Sequence, residues 1–357
     1  MIIHSKFKDY EVKIEQNLDF LEVLSQEENT EFVIDQKVYD LYQEHFQAIP
    51  ANRLILIEAT EQNKVIQTAL DICEKMTEIP AKRNAQLVSV GGGIIQDITG
   101  FVANILYRGI RWIFVPTTLL ASCDSCIGGK TSLNYKKYKN LLGTFYPPDQ
   151  LHICSAFFKT LTERDYKSGL CEVVKFNIMA GEDRLAQITE DMDGLLVRES
   201  GCVNRYVESS LLFKKSFIEV DEFDRGERIK LNFAHTFGHA IEVVTNYEIP
   251  HGTAVAIGMI MADSISLKRQ LLSAELVTGS ENVLLKVIDI NPELLDVPQE
   301  QVLDAMRKDK KQTSQSLTAV LLTENGLELI HDMETEEVAY AFDYFRSLYA
   351  DYCSVSR

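Results

Sequence analysis

Two histidines four residues apart, His235 and His239, stand in the apolar, helix-compatible run FAHTFGHAIEVV. That spacing puts both imidazoles on one helical face, about one turn apart. Such a pair can ligate a metal, transfer protons, or simply pack with its ring nitrogens hydrogen-bonded. His251 follows in IPHGTAVAIGM, just ahead of another apolar helix-length run, and GLCEVVK supplies Glu172 and Lys175. Two histidines and a glutamate make a catalytic zinc set that keeps one position open for substrate or water. A third histidine would then serve proton transfer. Residue types alone leave the metal and packing readings both open.

A second group of residues is suited to anions. In SVGGGIIQDITGF an apolar strand runs into Gly91, Gly92 and Gly93 and then into a helix starting near Ile94. Glycines admit a ligand close to the backbone, and a helix N-terminus offers N–H groups and positive dipole to phosphate. The run lacks the G-x-G-x-x-G pattern, so a plain tight turn is the competing reading. Asp97, expected in the first turn of that helix, is either a helix-favouring charge or a ligand contact, and Asp35 ends the run FVID, where an acid can bind a ribose hydroxyl or merely form a surface turn.

The stretch PTTLLASCDSCIGGKTSLNYKKYKNLLGTFYPP gathers Thr117, Thr118, Asp124, Lys130, Lys139 and Asn140. We read its centre as a short glycine-containing loop that either binds phosphate or displays solvated lysines. Gly128, Gly129, Lys130 and Thr131 match the end of a P-loop, but the required upstream glycine is absent. Cys123 and Cys126 form an unaccompanied C-x-x-C, for which redox or zinc chemistry is the weaker reading.

These residues need elements to hold them. Before residue 155, short apolar runs (EFVID, RLILIE, QLVSVGGG, RWIFVPTT) alternate with helical patterns (NKVIQTALDICEKM, IQDITGFVANILY), which predicts a parallel sheet with crossover helices. Beyond it, helix-length segments dominate: ERDYKSGLCEVVKFNIM, CVNRYVESSLLFKKSFIEV, HTFGHAIEVV and GTAVAIGMIMADSISLKRQLL. SLTAVLLTENGLEL reads as a small hairpin. The expected fold is α/β, with a Rossmann-like parallel-sheet domain over residues 1–155 and a mainly helical, metal- and substrate-binding domain over 156–357. A shared interface is where a large ligand site would form.

The 357 residues carry 36 Lys and Arg against 53 Asp and Glu, a net charge of −17. That field opposes nucleic acid and anionic membranes as partners. An anionic substrate needs a local cluster of cations. No apolar stretch reaches membrane-span length, and MIIHSKFKDY has no signal-peptide apolar segment. Seven cysteines without a secretory signal are expected to be reduced thiols in the cytoplasm.

Taken in order, GGGIIQD, RGIRWIFVPTTLLASCDSCIGGKTSLN, KNLLGTFYPP, GLCEVVK, DEFDRGERIKLNFAHTFGHA and HGTAVAIGM resemble the sugar-phosphate cyclases, and among these the 3-dehydroquinate synthase family. The resemblance spans at least residues 31–311. It implies a zinc or cobalt ion on Glu172, His235 and His251, with His239 left for substrate. It implies NAD contacts at Asp35, Glu61, Lys64, Gly91, Gly92, Gly93, Asp97, Thr117, Thr118, Asp124, Lys139, Thr160 and Leu161. Substrate groups fall on Lys130, Asn140, Lys175, Lys214, Arg228, Asn232, His239 and Lys310, and Arg108 is implied to reach the phosphate in the neighbouring subunit of a homodimer.

The implied reaction is NAD- and metal-dependent cyclisation of a phosphorylated sugar acid with loss of phosphate. Relatives of the family use sedoheptulose 7-phosphate or glucose 6-phosphate instead. A metal-dependent polyol dehydrogenase and a non-catalytic sensor of NAD or sugar phosphate are the rival classes. The chain departs from the family at Gln96, Cys126, TEQNK, TLTER and NYKKYKN, mostly near the cofactor and phosphate residues.

Overall fold

The computed structural model describes residues 1–80, 82–308 and 317–355. The chain forms two compact units, one of Met1–Leu161 with Val203–Phe223, the other of Thr162–Cys202 with Asp224–Arg357. Compared with a division after residue 155, the first unit also takes in residues 156–161 and most of the helix Ser200–Ile218.

The first unit is built on β1 (Ile2–Ile3), β2 (Tyr10–Glu15), β3 (Thr30–Asp35), β4 (Leu54–Ile57), β5 (Gln86–Gly91) and β6 (Arg111–Pro116). To these are added the hairpin strands β7 (Lys130–Tyr135) and β8 (Tyr138–Phe145), then β9 (Gln150–Cys154). Seven of them form one sheet in the order β1-β2-β9-β6-β5-β3-β4, parallel except where β1 meets β2. β5 is buried along its whole length, as expected of a parallel strand covered on both faces.

The order reverses between β3 and β5. β3 runs on to β4 on one side, whereas β5 runs on to β6 on the other. Parallel sheets bind ligands outside the carboxyl ends of the strands at such a point. Ile34 pairs with Val90, so Asp35 and Gly91 stand side by side at that edge. Thr117 and Thr118 follow β6, Glu61 and Lys64 follow β4, and Thr160 with Leu161 follows β9 by way of the short helix Ser155–Thr160.

The second unit is mainly helical. Its central helix, His251–Lys268, is apolar on every side and buried from Gly252 to Ser266. The helices Glu163–Met179, His235–Val244, Ala274–Val287 and Thr335–Val355 surround it, which is why no polar stripe shows in its sequence. SLTAVLLTENGLEL forms an antiparallel hairpin, β10 (Leu317–Thr323) with β11 (Gly326–Met333). Among the described residues no helix is long and apolar enough to cross a membrane.

Candidate metal and cofactor site

Three helices bring the metal-type ligands together. Glu172 sits in the middle of Glu163–Met179, while His235 and His251 each open a helix. His251 can come this close because its neighbour is Gly252: a Cβ there would stand 1.8 Å from the Ser168 carbonyl oxygen. Gly252 N–H donates instead to Ser168 Oγ at 3.0 Å. A Cβ on Gly258 would stand 2.4 Å from the Ala234 carbonyl oxygen, so that residue sets the approach to the His235 helix. Ala234 itself takes the left-handed conformation at φ 66°, a costly one for a residue with a Cβ, just before His235.

The Nε2 atoms of His235 and His251 lie 3.9 and 3.7 Å from Glu172 Oε1. Each Nδ1 is engaged on the opposite side of its ring, His235 with the Phe233 carbonyl at 3.0 Å and His251 with Glu242 Oε2 at 3.1 Å. These bonds make Nδ1 the protonated nitrogen and turn the Nε2 lone pairs inward, as in metal sites whose outer shell orients the imidazoles. Glu172 is fully buried, and neither carboxylate oxygen makes a directed hydrogen bond. Lys175 Nζ stands 2.5 Å from Oε2, so the charge is paired although the angle is poor for a hydrogen bond.

A buried carboxylate paired on one side with Lys175 and faced on the other by two inward lone pairs fits a divalent cation in the two-histidine, one-carboxylate pattern. His239, Glu242 and His251 form a second cluster of suitable atoms. Glu242 already orients His251 Nδ1, so we assign it to the outer shell. Burial works against protonating His251, but Glu242 and then Glu172 outweigh it and raise its pKa.

Lys175 is as buried as Glu172, and the His239 ring centroid lies 5.7 Å from that of His235 and 6.0 Å from that of His251. The buried Arg228 and the half-buried Asn232 lie on the short helix Glu227–Asn232 that leads into the His235 segment. Thus Glu172, Lys175, His235, His239 and His251 form one constellation. Lys310 lies outside the described residues.

In the first unit, Asp35 caps a helix by accepting from Lys37 N–H, and burial raises its pKa against that bond. Asp97 is raised by burial despite Lys64, whose Nζ lies 2.5 Å from Oδ2. Lys64 Nζ also donates to Asn140 Oδ1 at 2.6 Å. Lys214 is buried and paired with Asp124, 2.8 Å from Oδ1 and 2.6 Å from the main-chain oxygen. Asp124 belongs to the single π-helical turn Ala121–Ser125, and such turns recur at functional sites. Gln96 steadies it by exchanging two 2.7 Å bonds with Ser125.

One expectation needs correction. The glycine-containing loop is the β7–β8 hairpin, so Lys130, Lys139 and Asn140 are all strand residues, exposed ones. The Cys126 thiol is pushed up to about 12, chiefly by burial, which disfavours the thiolate that a redox pair would need. Both cysteines of the C-x-x-C are buried and outside any disulfide among the described residues. Arg108 is exposed on a turn where Tyr107, Arg108 and Gly109 all take positive φ.

Comparison with known proteins decides the family. Its N-terminal and C-terminal models, both described as 3-dehydroquinate synthase, match residues 54–168 and 169–312. A 3-dehydroquinate synthase from Clostridium tetani is 39% identical over 266 residues, 72% of this chain and 71% of that one. The chain belongs to the 3-dehydroquinate synthase family. It is therefore an enzyme, a cyclase of that family.

Two solved structures share the fold. A 2-deoxy-scyllo-inosose synthase complexed with carbaglucose-6-phosphate, NAD+ and Co2+ superposes with a TM-score of 0.83 at 23% identity, over 96% of this chain and 98% of that one. A 2-epi-5-epi-valiolone synthase from Streptomyces hygroscopicus with NAD+ and Zn2+ bound gives 0.82 at 22% identity, with 96% and 98% coverage.

Proposed function

We propose that this cyclase converts 3-deoxy-D-arabino-heptulosonate 7-phosphate to 3-dehydroquinate with loss of phosphate, using NAD and a divalent metal. The observation that carries the reading is the Glu172, His235 and His251 cluster with Lys175 and His239 beside it. Glu172, His235 and His251 would hold zinc or cobalt, which supplies Lewis acidity toward a substrate hydroxyl. The β3–β5 edge and its flanking loops would hold NAD, which supplies a hydride acceptor renewed within each turnover.

The side chains do the rest. Lys175 balances the Glu172 carboxylate and keeps an ammonium at the cluster. His239, one helical turn from His235, is placed to hold or move a proton. The planar guanidinium of Arg228 suits a two-donor contact to a substrate carboxylate, with Lys214 as a second cation. Lys130, Asn140, His239 and Lys310 are assigned to the phosphate. With both anionic ends clamped, the substrate's own phosphate is positioned to take a neighbouring proton. Arg108, projecting from a turn held at positive φ, is assigned to the phosphate of a neighbouring copy in a homodimer.

A second reading is a cyclase for sedoheptulose 7-phosphate or another acid-free sugar phosphate. The departure of NYKKYKN, where the phosphate-assigned Asn140 sits, favours it. Arg228 and Lys214, suited to a carboxylate, favour the acid. The deciding experiment measures phosphate release from both heptulose phosphates under matched NAD and zinc, with the carbocycle identified. Faster turnover of the acid-free sugar overturns the dehydroquinate assignment. Stoichiometric NADH accumulation would instead indicate a polyol dehydrogenase.

A further inference from the structure

Asn134 was not among the residues expected to act, yet it joins two of the groups that were. β7 and β8 lose register at this residue: Leu133 pairs with Leu142, but Tyr135 pairs with Tyr138. Lys139, Asn140 and Leu141 therefore oppose Asn134 alone. Bulges of this kind re-aim side chains beside functional sites.

Released from the regular ladder, Asn134 turns its main chain to the loop after β4. Its N–H donates to the Lys64 carbonyl at 2.7 Å, and Val65 forms an isolated parallel bridge with it. Its side chain is only 8% exposed in all, and both ends of the amide are engaged. Nδ2 donates to Glu61 Oε2 at 2.7 Å and to the Glu61 carbonyl at 3.1 Å. Oδ1 accepts from Asn140 N–H at 2.9 Å. Two acceptors on one side and a donor on the other admit a single amide orientation.

Asn140 sits at φ 53°, a left-handed conformation that asparagine adopts more readily than most residues. Its own Oδ1 accepts from Lys64 Nζ at 2.6 Å and from Ser132 Oγ at 2.9 Å. That leaves Nδ2 as the end of the Asn140 amide suited to an anion. One buried side chain thus fixes the carboxylate of Glu61 and the left-handed backbone of Asn140.

We propose that Asn134 is a positioning residue that ties the NAD-contacting loop at Glu61 and Lys64 to the phosphate-contacting Asn140, so that filling one subsite orders the other. The inference rests on the cofactor and phosphate assignments made above. Asn134→Asp separates its two roles. The aspartate keeps an acceptor for Asn140 N–H, but it sets a carboxylate against that of Glu61.

The test measures NAD+ dissociation constants by calorimetry, with and without saturating inorganic phosphate, for the full-length wild type, Asn134→Asp, Glu61→Gln and the double variant. Wild type should bind NAD+ more tightly with phosphate present. Asn134→Asp should weaken NAD+ about tenfold, the scale of losing a buried hydrogen bond, and abolish the effect of phosphate. In the Glu61→Gln background, where the introduced side-chain amide can donate to the aspartate, the same substitution should cost much less.

An equal cost in both backgrounds, or a phosphate effect that survives Asn134→Asp, overturns the inference. Wild type that fails to bind NAD+ would sink the cofactor reading itself, a distinct result. Should Asn134→Asp fold poorly, Asn134→Ser keeps the test open: loss of the phosphate effect at unchanged melting temperature supports the coupling, and its retention refutes it.

Discussion

His251 Nδ1 lies 3.1 Å from Glu242 Oε2, and this one contact settles which nitrogen of His251 faces Glu172. Without it the imidazole could turn, and the three-residue set would lose its geometry. Glu242 is on the helix that His235 opens, so a single helix supplies one proposed ligand at its first residue and the support for another two turns later.

Glu242→Gln should therefore weaken metal binding without abolishing it. Gln can still accept from Nδ1–H, but the loss of charge lowers the basicity of the ring. Outer-shell changes of this kind cost about 10–100-fold in metal affinity. Competition with a chromogenic zinc chelator reads the effect. His235→Ala, which removes a ligand outright, should lose stoichiometric metal and activity together while the chain still folds. Unchanged zinc affinity in Glu242→Gln, or retained metal in His235→Ala, counts against the assignment.

Gly252→Ala should be far more damaging than an exposed-helix Gly→Ala change. The new Cβ would meet the Ser168 carbonyl at 1.8 Å, so the His251 helix has to move away from the Glu172 helix. We expect a stability loss of about 2 kcal/mol or more, the overpacking range, with weakened metal binding. A melting temperature near wild type with full zinc content would show that the contact is dispensable.

What the sequence made legible, and what it did not, follows from range. The helices bearing Glu172, His235 and His251 were readable because their apolar residues recur locally, and Glu163–Met179 coincides with the run ERDYKSGLCEVVKFNIM. The β7–β8 hairpin was not, because NYKKYKN is charged, two-sided and bulged, and shows no alternation. Glu242 and Ser168 were missed for another reason. Their roles depend on residues that only the fold brings close, and no spacing rule connects Ser168 to Gly252, 84 positions away. The resemblance named the ligands. It could not name what orients them.

Stability should depend on pH through Asp263, which lies buried in the central helix. Oδ2 accepts from Ser280 Oγ at 2.8 Å, while Oδ1 has no hydrogen-bond partner among the described residues. Burial pushes its carboxyl up to about 7, the Ser280 bond opposes this, and nearby Glu281 adds to it. Below about pH 4 the group is protonated in both folded and unfolded chains. Between there and 7 the folded chain holds the extra proton, so stability falls as pH rises and then levels off. Asp263→Asn removes that penalty. Its unfolding free energy should match or trail wild type at pH 4 and exceed it at pH 8, by a gain on the order of a few kcal/mol. A difference that stays constant with pH would show that Asp263 ionises normally.

Arg228→Lys tests substrate choice from the enzyme's side. A lysine keeps the charge but replaces the planar two-donor face with a point charge. With the heptulosonate as substrate, kcat/KM should fall by about a hundredfold, since a site built for a particular polar contact discriminates sharply when that contact is lost. With sedoheptulose 7-phosphate, which has no carboxylate, the already slow turnover should change little. The comparison isolates the carboxylate contact, because general damage to the fold would lower both rates alike. Equal losses on both substrates would remove Arg228 from carboxylate recognition, and with it the main residue-level reason for preferring the acid.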